Sequence, residues 1–448
     1  MTSPDALTTR LNRGVSRRNA RWSFVSAEQF GDALELHRFR LGNGLRVLTL
    51  EDRSAPTVSY HTWFRVGSRD ERPGKTGLAH LFEHLMFNET KNHQYGEFDH
   101  LMENAGVEVN AATWTDWTYY YENAPKNALP LLVELESDRM ANLVLREPQV
   151  RSEKEVVANE RKLRVDDDIE GRALEQLYAT AFKRHPYRWP TIGWMEDIRG
   201  FTVEDCRKFY RSFYSPNNAT VVVAGDFDER RVLSLIQERY GHLPATKLQQ
   251  NGEAPREPTQ RGERTYRIAA PTPTDKMLLG YHVPGFAHPD TPALIVINEL
   301  LFGGRSSRLL RVFCDDKELA LSVRGSVSPF VDPGLFELWF SLREGRRMAD
   351  ALALLDSEIE RLVTEGPTTD ELGKAVNQIE LSFLYSMETA GGKAEQLGFY
   401  ETVVDDAASA MSRLDAFRAL TVPTLQRVAA KYLNPNRRTR VEVSESFA

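Results

Sequence analysis

Two histidines and a glutamate stand close together in Gly77-Leu-Ala-His80-Leu-Phe-Glu83-His84-Leu-Met-Phe87. On a helix His80 and His84 lie one turn apart on the same side, so their imidazoles can converge on one ion. Glu83 sits beside His84, where its carboxylate can take a proton from a water at that ion. Zinc suits such a pair: it accepts neutral imidazole nitrogen, tolerates an open coordination position and lowers the pKa of bound water to about 7. The order His-x-x-Glu-His is the reverse of the commoner His-Glu-x-x-His zinc-peptidase pattern. The bland alternative is a chance pair of structural histidines, but histidine is scarce here, with 10 in 448 residues.

A hydrolytic zinc needs three protein ligands and a water, and the short motif supplies two. Downstream, Glu153-Lys-Glu-Val-Val-Ala-Asn-Glu160 puts two acids seven residues apart on one helical face. An acidic pair so spaced is ordinarily a solvated face, so taken alone it leaves the third ligand open.

Together these segments resemble the pitrilysin, or inverzincin, peptidases, which include insulin-degrading enzyme and the mitochondrial processing peptidase. There the His-x-x-Glu-His motif is followed about 75 residues later by a glutamate ligand. The resemblance implies zinc on His80, His84 and Glu160, Glu83 as catalytic base, and Glu153 as a glutamate that supports activity. It extends through Gly106-Val-Glu-Val-Asn110-Ala111 with Thr113, Thr118 and Tyr120, and through His185-Pro-Tyr187, Ile192-Gly193, Phe209, Tyr214-Ser-Pro-Asn217-Asn218 and Val223-Ala-Gly225-Asp226. From about His37 to Leu433 the chain is covered. What this implies is a zinc endopeptidase for unfolded peptides, with two homologous α+β domains in a clam-shell arrangement. Each would pack helices on a mainly antiparallel sheet, and only the first would bear metal. The substrate is implied to add as a strand beside Asn110-Ala111-Ala112, where backbone hydrogen bonds give affinity with little side-chain demand. Without the resemblance, that segment reads as an ordinary edge strand.

One departure matters. Active relatives carry an Arg and a Tyr in the C-terminal domain that contact substrate, in a segment of the form S-S-R-L, then R, then L-A-Y-S-V. Here Ser306-Ser-Arg-Leu309 is followed by Leu319-Ala-Leu-Ser-Val323, with Cys314 at the arginine and Leu321 at the tyrosine. Arg311 and Arg324 fall at other phases. The favoured expectation is a heterodimer in which a homologous subunit brings the missing pair; the other is a different mode of substrate binding. A competing function class is a non-catalytic homologue kept for assembly or peptide binding. The missing pair speaks for it; the intact motif with Glu160 speaks against it.

The elements that must position these residues alternate in the first half. Residues 45–50 and 58–66 are rich in β-branched and aromatic side chains and read as strands. Residues 76–88 switch to helical spacing, 107–121 return to strand character, and 148–162 read as a helix with Val150, Val156 and Val157 inward. Residues 219–224 are a β-branched strand, followed by a helix capped at Asp228. Between 243 and 264 the pattern dissolves into polar residues, the best linker in the chain. Beyond it a strand-like run, 277–283, precedes a helix-like run, 293–302, as in the first half. Superposition puts Ile295, Asn298 and Glu299 where His80, Glu83 and His84 stand. The expected organisation is an extension over 1–36, a metal-bearing domain over 37–243, a linker over 244–264 and a second domain over 265–448.

Other classes are poorly supported. A formal net charge of −7 lacks the basic stripe of a nucleic-acid binder. Gly74-Lys75-Thr76 has the ending of a P-loop, but Arg69 stands where that loop requires glycine. Two distant cysteines, Cys206 and Cys314, exclude a disulfide scaffold and a cysteine zinc site. The first thirty residues contain five arginines and no apolar signal core, and no apolar run spans a bilayer. The expectation is a cytoplasmic protein, with a periplasmic location as the alternative and with no membrane or nucleic-acid partner.

Overall fold

The computed structural model describes residues 3–248 and 254–447. The chain divides into two compact units, each α+β, with helices against a mainly antiparallel sheet.

The first unit is built on seven strands: β1 (Trp22–Phe30), β2 (Leu34–Leu41), β3 (Arg46–Glu51), β4 (Thr57–Phe64), β5 (Glu108–Thr113), β6 (Thr118–Pro125) and β7 (Ala219–Gly225). They lie in the order β1-β2-β3-β7-β4-β6-β5. β3 and β7 run parallel and all other neighbours antiparallel. The central strands β4 and β7 are almost wholly buried, which is why their sequences are continuous apolar and β-branched runs and not alternating ones. One face, with Val58, Tyr60 and Phe64, joins the core containing Leu81, Phe82 and Leu85 of the motif helix Leu78–Leu85. Helix Ala390–Val403 covers β4 and β7 as well. Gly398 permits that contact, since a Cβ there would fall 2.0 Å from Nε1 of Trp63.

The second unit holds β8 (Arg264–Ala269), β9 (Lys276–His282), β10 (Ala320–Val327), β11 (Leu335–Leu342) and β12 (Arg438–Ser444), in the order β10-β11-β9-β12-β8. Read from its other edge this is β8-β12-β9-β11-β10. That matches β3-β7-β4-β6-β5 strand for strand, including the single parallel pair, β8 with β12. The repeat suspected from one strand–helix pair thus extends to all five strands of the second sheet, with β1 and β2 added at the edge of the first. Helix Thr291–Phe302 follows β9 as the motif helix follows β4.

Several element readings change. Residues 1–36 are not an appendage: β1 and the start of β2 fall there, with Trp22 and Phe30 buried at the two ends of an alternating strand. Residues 107–121 form a hairpin of two strands, β5 and β6, whose turn spans the tryptophan-rich stretch. Val156 is 46% exposed, whereas Val150 and Val157 are in the core. Three valines within eight residues cannot all face one side of a helix, and the sequence pattern did not say which would lose. The compact units also differ from contiguous ranges. Helix Ile169–Ala181 packs Ala173, Leu177 and Ala181 on Ile268, Leu278 and Val441 in the second unit, and helix Ala390–Val403 belongs to the first. Within the linker range, 249–253 lie outside the described residues, and 254–263 carry no helix or strand. No helix among the described residues is long and apolar enough to cross a membrane.

Candidate metal centre

The motif helix begins abruptly. Gly77, its N-cap, has φ +94 and no side chain to accept from the first turn. The first N–H groups of any helix lack intrahelical partners, and here Glu71 supplies them. Its two carboxylate oxygens accept from Gly77 N at 2.8 Å and Ala79 N at 2.7 Å. Burial pushes the Glu71 carboxyl well up, opposed by those two donors. Thr76 is held in turn by Asp197, which accepts from its backbone N at 3.0 Å and its hydroxyl at 2.6 Å. The loop carrying Gly193 lies directly against this entry: a Cβ on Gly193 would stand 2.2 Å from the Thr76 carbonyl and 2.6 Å from Gly77 Cα. Lys75, the P-loop-like lysine, is engaged by Asp205 at 2.7 Å.

From that start the helix presents His80, buried at 8% exposure, and His84, half-buried, with ring centroids 5.0 Å apart. Helix Glu147–Arg161 brings the acids. Its apolar side, with Val150 and Val157, is anchored in the first unit's core, and it is continuous up to Glu160. His80, His84 and Glu160 each offer one ligand atom, and these atoms all lie within 4.8 Å of one another. No other such cluster occurs among the described residues. Two neutral imidazoles and a carboxylate on one side of an open position are a donor set that fits zinc. Glu160 also receives Arg164 at 2.9 Å, from the π-helical turn Lys162–Asp166 that ends the acidic helix.

Glu153 is near the cluster without joining it. One oxygen stands 3.8 Å from His84 Nδ1, and the other accepts from Asn88 Nδ2 at 3.0 Å. A carboxylate so placed can orient an imidazole. Glu83 lies between the two histidines in sequence, one residue before His84.

Asn110, Ala111 and Ala112 lie on β5, the terminal strand of the first sheet, opposite Tyr121, Tyr120 and Tyr119 of β6. The Asn110 side-chain oxygen accepts from Ala111 N at 2.8 Å. Behind the motif helix, the Tyr120 hydroxyl donates to the Phe82 carbonyl at 3.3 Å and lies 3.2 Å from that of Tyr214.

In the second unit, Leu321 is 56% exposed at a register irregularity of β10, and Cys314 lies in the π-helical turn Arg311–Asp316. Burial and the neighbouring Asp315 raise the Cys314 thiol, so it is no activated nucleophile. Arg311 reaches Asp316, and Arg324 pairs with Glu170 while its guanidinium lies 4.4 Å over Trp339.

Sequence reading missed Glu71, Asp197 and the Gly77–Gly193 contact. In the sequence Thr76 looked able to cap the helix; the structure puts the N-cap at Gly77 and turns the Thr76 hydroxyl to Asp197, so the acceptor comes from elsewhere. It also missed a buried ionic cluster, Glu122, Glu136 and Arg139, beside Tyr120.

Comparison with known proteins agrees with this layout. Residues 46–193 match the profile of the insulinase family, peptidase family M16, and residues 200–379 match the profile described as the peptidase M16 inactive domain. The zinc protease PqqE of Helicobacter pylori is 32% identical over 409 residues, covering 90% of this chain and 91% of that protein. The human mitochondrial-processing peptidase subunit beta is 27% identical over 405 residues, covering 88% of this chain and 81% of its own. A crystal structure of a protease from Helicobacter pylori superposes with a TM-score of 0.86 at 30% identity, covering 91% of this chain and 99% of that one. With a His-x-x-Glu-His segment, a distant glutamate beside it and a doubled sheet topology, the chain belongs to peptidase family M16, the insulinase family.

Proposed function

We propose that this protein is a zinc metalloendopeptidase acting on unfolded peptides. The observation that carries the reading is the convergence of His80, His84 and Glu160, from two helices distant in sequence, on one position. Relatives named zinc proteases support zinc as the ion. When bound, zinc supplies Lewis-acid activation of the scissile carbonyl and of a water. Glu83 takes the proton of the attacking water and delivers it to the leaving amine. Glu153, 3.8 Å from His84 Nδ1 and held by Asn88, supports activity by placing negative charge beside the His84 ring. The peptide adds to β5 along Asn110-Ala111-Ala112, where the sheet ends.

The first of two homologous domains bears the metal, and the second lacks it: Ile295, Asn298 and Glu299 replace the triad on helix Thr291–Phe302. With Cys314 and Leu321 where active relatives have Arg and Tyr, full activity requires a related subunit that supplies this pair. The human relative is itself named as a subunit.

Purified wild type, Glu83→Gln and His80→Ala, each alone and mixed with related subunits, are assayed on unfolded peptides alongside bound zinc. Glu83→Gln should keep zinc and lose hydrolysis, and His80→Ala should lose both. Full activity of Glu83→Gln would refute the assignment. Zinc-loaded wild type that stays inert in every mixture would make the chain a peptide-binding or assembly subunit.

A further inference from the structure

We propose that Glu71 is a positioning residue that sets the rotation and depth of the metal-binding helix through a two-pronged grip on its first turn. The inference rests on reading His80 and His84 as metal ligands. A helix of eight residues has little internal cohesion, because its first four N–H and last four C=O groups are unpartnered within it. Its N-cap is glycine in the left-handed region, so no local side chain can satisfy the first turn. The acceptor therefore comes from six and eight residues upstream. Glu71 is 8% exposed, and each of its oxygens takes one N–H, from Gly77 and from Ala79. Ala79 immediately precedes His80.

Two bonds to one rigid carboxylate constrain more than a single cap does. One bond fixes how far the chain enters; the second, two residues on, fixes how the first turn is rotated. The anchor of Thr76 on Asp197 stops short of that turn, and the Gly77–Gly193 contact limits only its approach. Without Glu71 the first turn, and His80 with it, can rotate or fray while Leu81, Phe82 and Leu85 keep the rest packed in the core.

Two variants separate this role from simple stability. Glu71→Gln offers one acceptor and one donor to two donors. Glu71→Asp keeps two acceptor oxygens and is one methylene shorter, so it reaches one donor well. Zinc affinity is measured by competition with a chromophoric chelator at a temperature where circular dichroism shows folded protein, and kcat and KM are recorded separately in the subunit mixture that is active with the wild type. Glu71→Gln should weaken zinc binding about 10- to 100-fold and lower kcat with little change in KM, since β5 is untouched. Glu71→Asp should recover part of both losses. Folded Glu71→Gln or Glu71→Asp with wild-type zinc affinity and kcat would overturn the proposal. Hydrogen exchange of the wild type tests the grip without any substitution: slow exchange at Gly77 and Ala79 supports it, and exchange at the free-peptide rate overturns it. Failure of the wild type itself to bind zinc would count against the proposed function, with the exchange result still deciding whether Glu71 holds the helix.

Discussion

Replacing Arg139 by Met tests the physical account of the first unit most severely. The side chains of Arg139, Glu122 and Glu136 are at most 1% exposed. Arg139 pairs with Glu122 at 3.0 Å and with Glu136 across one helical turn, and its guanidinium lies 4.4 Å over Tyr120. Two carboxyls share one cation in a buried site, so burial and the Glu136 charge push the Glu122 carboxyl well up and favour its protonated form. Methionine roughly conserves the stem volume but leaves Glu136 without a countercharge. Removing one member of a buried ion pair costs about 3–5 kcal/mol. The lost contact with Tyr120 overlaps with that figure and is not added to it. Against a typical native stability of about 5–15 kcal/mol, the variant should fold but open easily. With two compact units a single unfolding free energy is poorly defined, so the assay is native-state hydrogen exchange at the β6 amides in the core of the first unit. Adding Glu122→Leu, Glu136→Met and Thr62→Val should restore most of the loss. The last change is needed because the Thr62 hydroxyl donates to Glu136 at 3.0 Å and would be stranded. Exchange stability of Arg139→Met within about 1 kcal/mol of wild type, or no recovery in the fourfold variant, would refute the reasoning.

Four further outcomes follow from the same structure. Because the folded pKa of Glu122 is raised, the native state binds more protons than the unfolded chain above about pH 4.3, so stability should fall as pH rises from there through the raised value; Glu122→Gln should flatten that slope in native-state hydrogen exchange of the first unit, corrected for intrinsic rates. His61 is 2% exposed with neither ring nitrogen hydrogen-bonded, and burial lowers its pKa to about 3. The unfolded chain thus takes up a proton that the native state refuses, so stability should be lost as pH drops from about 6.5 toward 3; His61→Phe, stacked on Tyr119 and Tyr121 in its place, should remove about one proton from that dependence. Gly193→Ala forces φ +84 on a residue with a Cβ and drives it into Thr76 and Gly77; native-state hydrogen exchange of the first unit should show a loss of about 2–5 kcal/mol together with weaker zinc binding. Glu153→Gln should weaken zinc binding about 10-fold or more without unfolding the chain, as read by chelator competition.

Part of the site was readable before any coordinates because His80 and His84 stand one helical turn apart, whereas Glu160 and Glu153 came from the family resemblance, since their spacing alone reads as a solvated face. The structure brings ligand atoms of His80, His84 and Glu160 within 4.8 Å of one another and leaves Glu153 3.8 Å from His84 Nδ1. The sheet was legible where β-branched residues cluster, at β4 and β7, and less so at β1, where the half-buried positions include Ser26 and Glu28 while Val25 faces outward, so no apolar alternation marks the strand. What escaped was long-range and polar. Glu71 satisfies backbone groups, Asp197 reaches Thr76 over more than a hundred residues, and the Glu122–Glu136–Arg139 cluster looks in sequence like surface charge. Nor does local pattern announce that helix Ile169–Ala181 will join the second sheet, since an amphipathic face states that it is buried and not where.

The most direct test is anomalous diffraction at the zinc edge from crystals of the zinc-loaded wild-type chain. A single peak about 2.0–2.2 Å from a nitrogen of His80, a nitrogen of His84 and an oxygen of Glu160 is the result expected. A peak held by other residues, or one at the two histidines with the Glu160 carboxylate turned away, would contradict it.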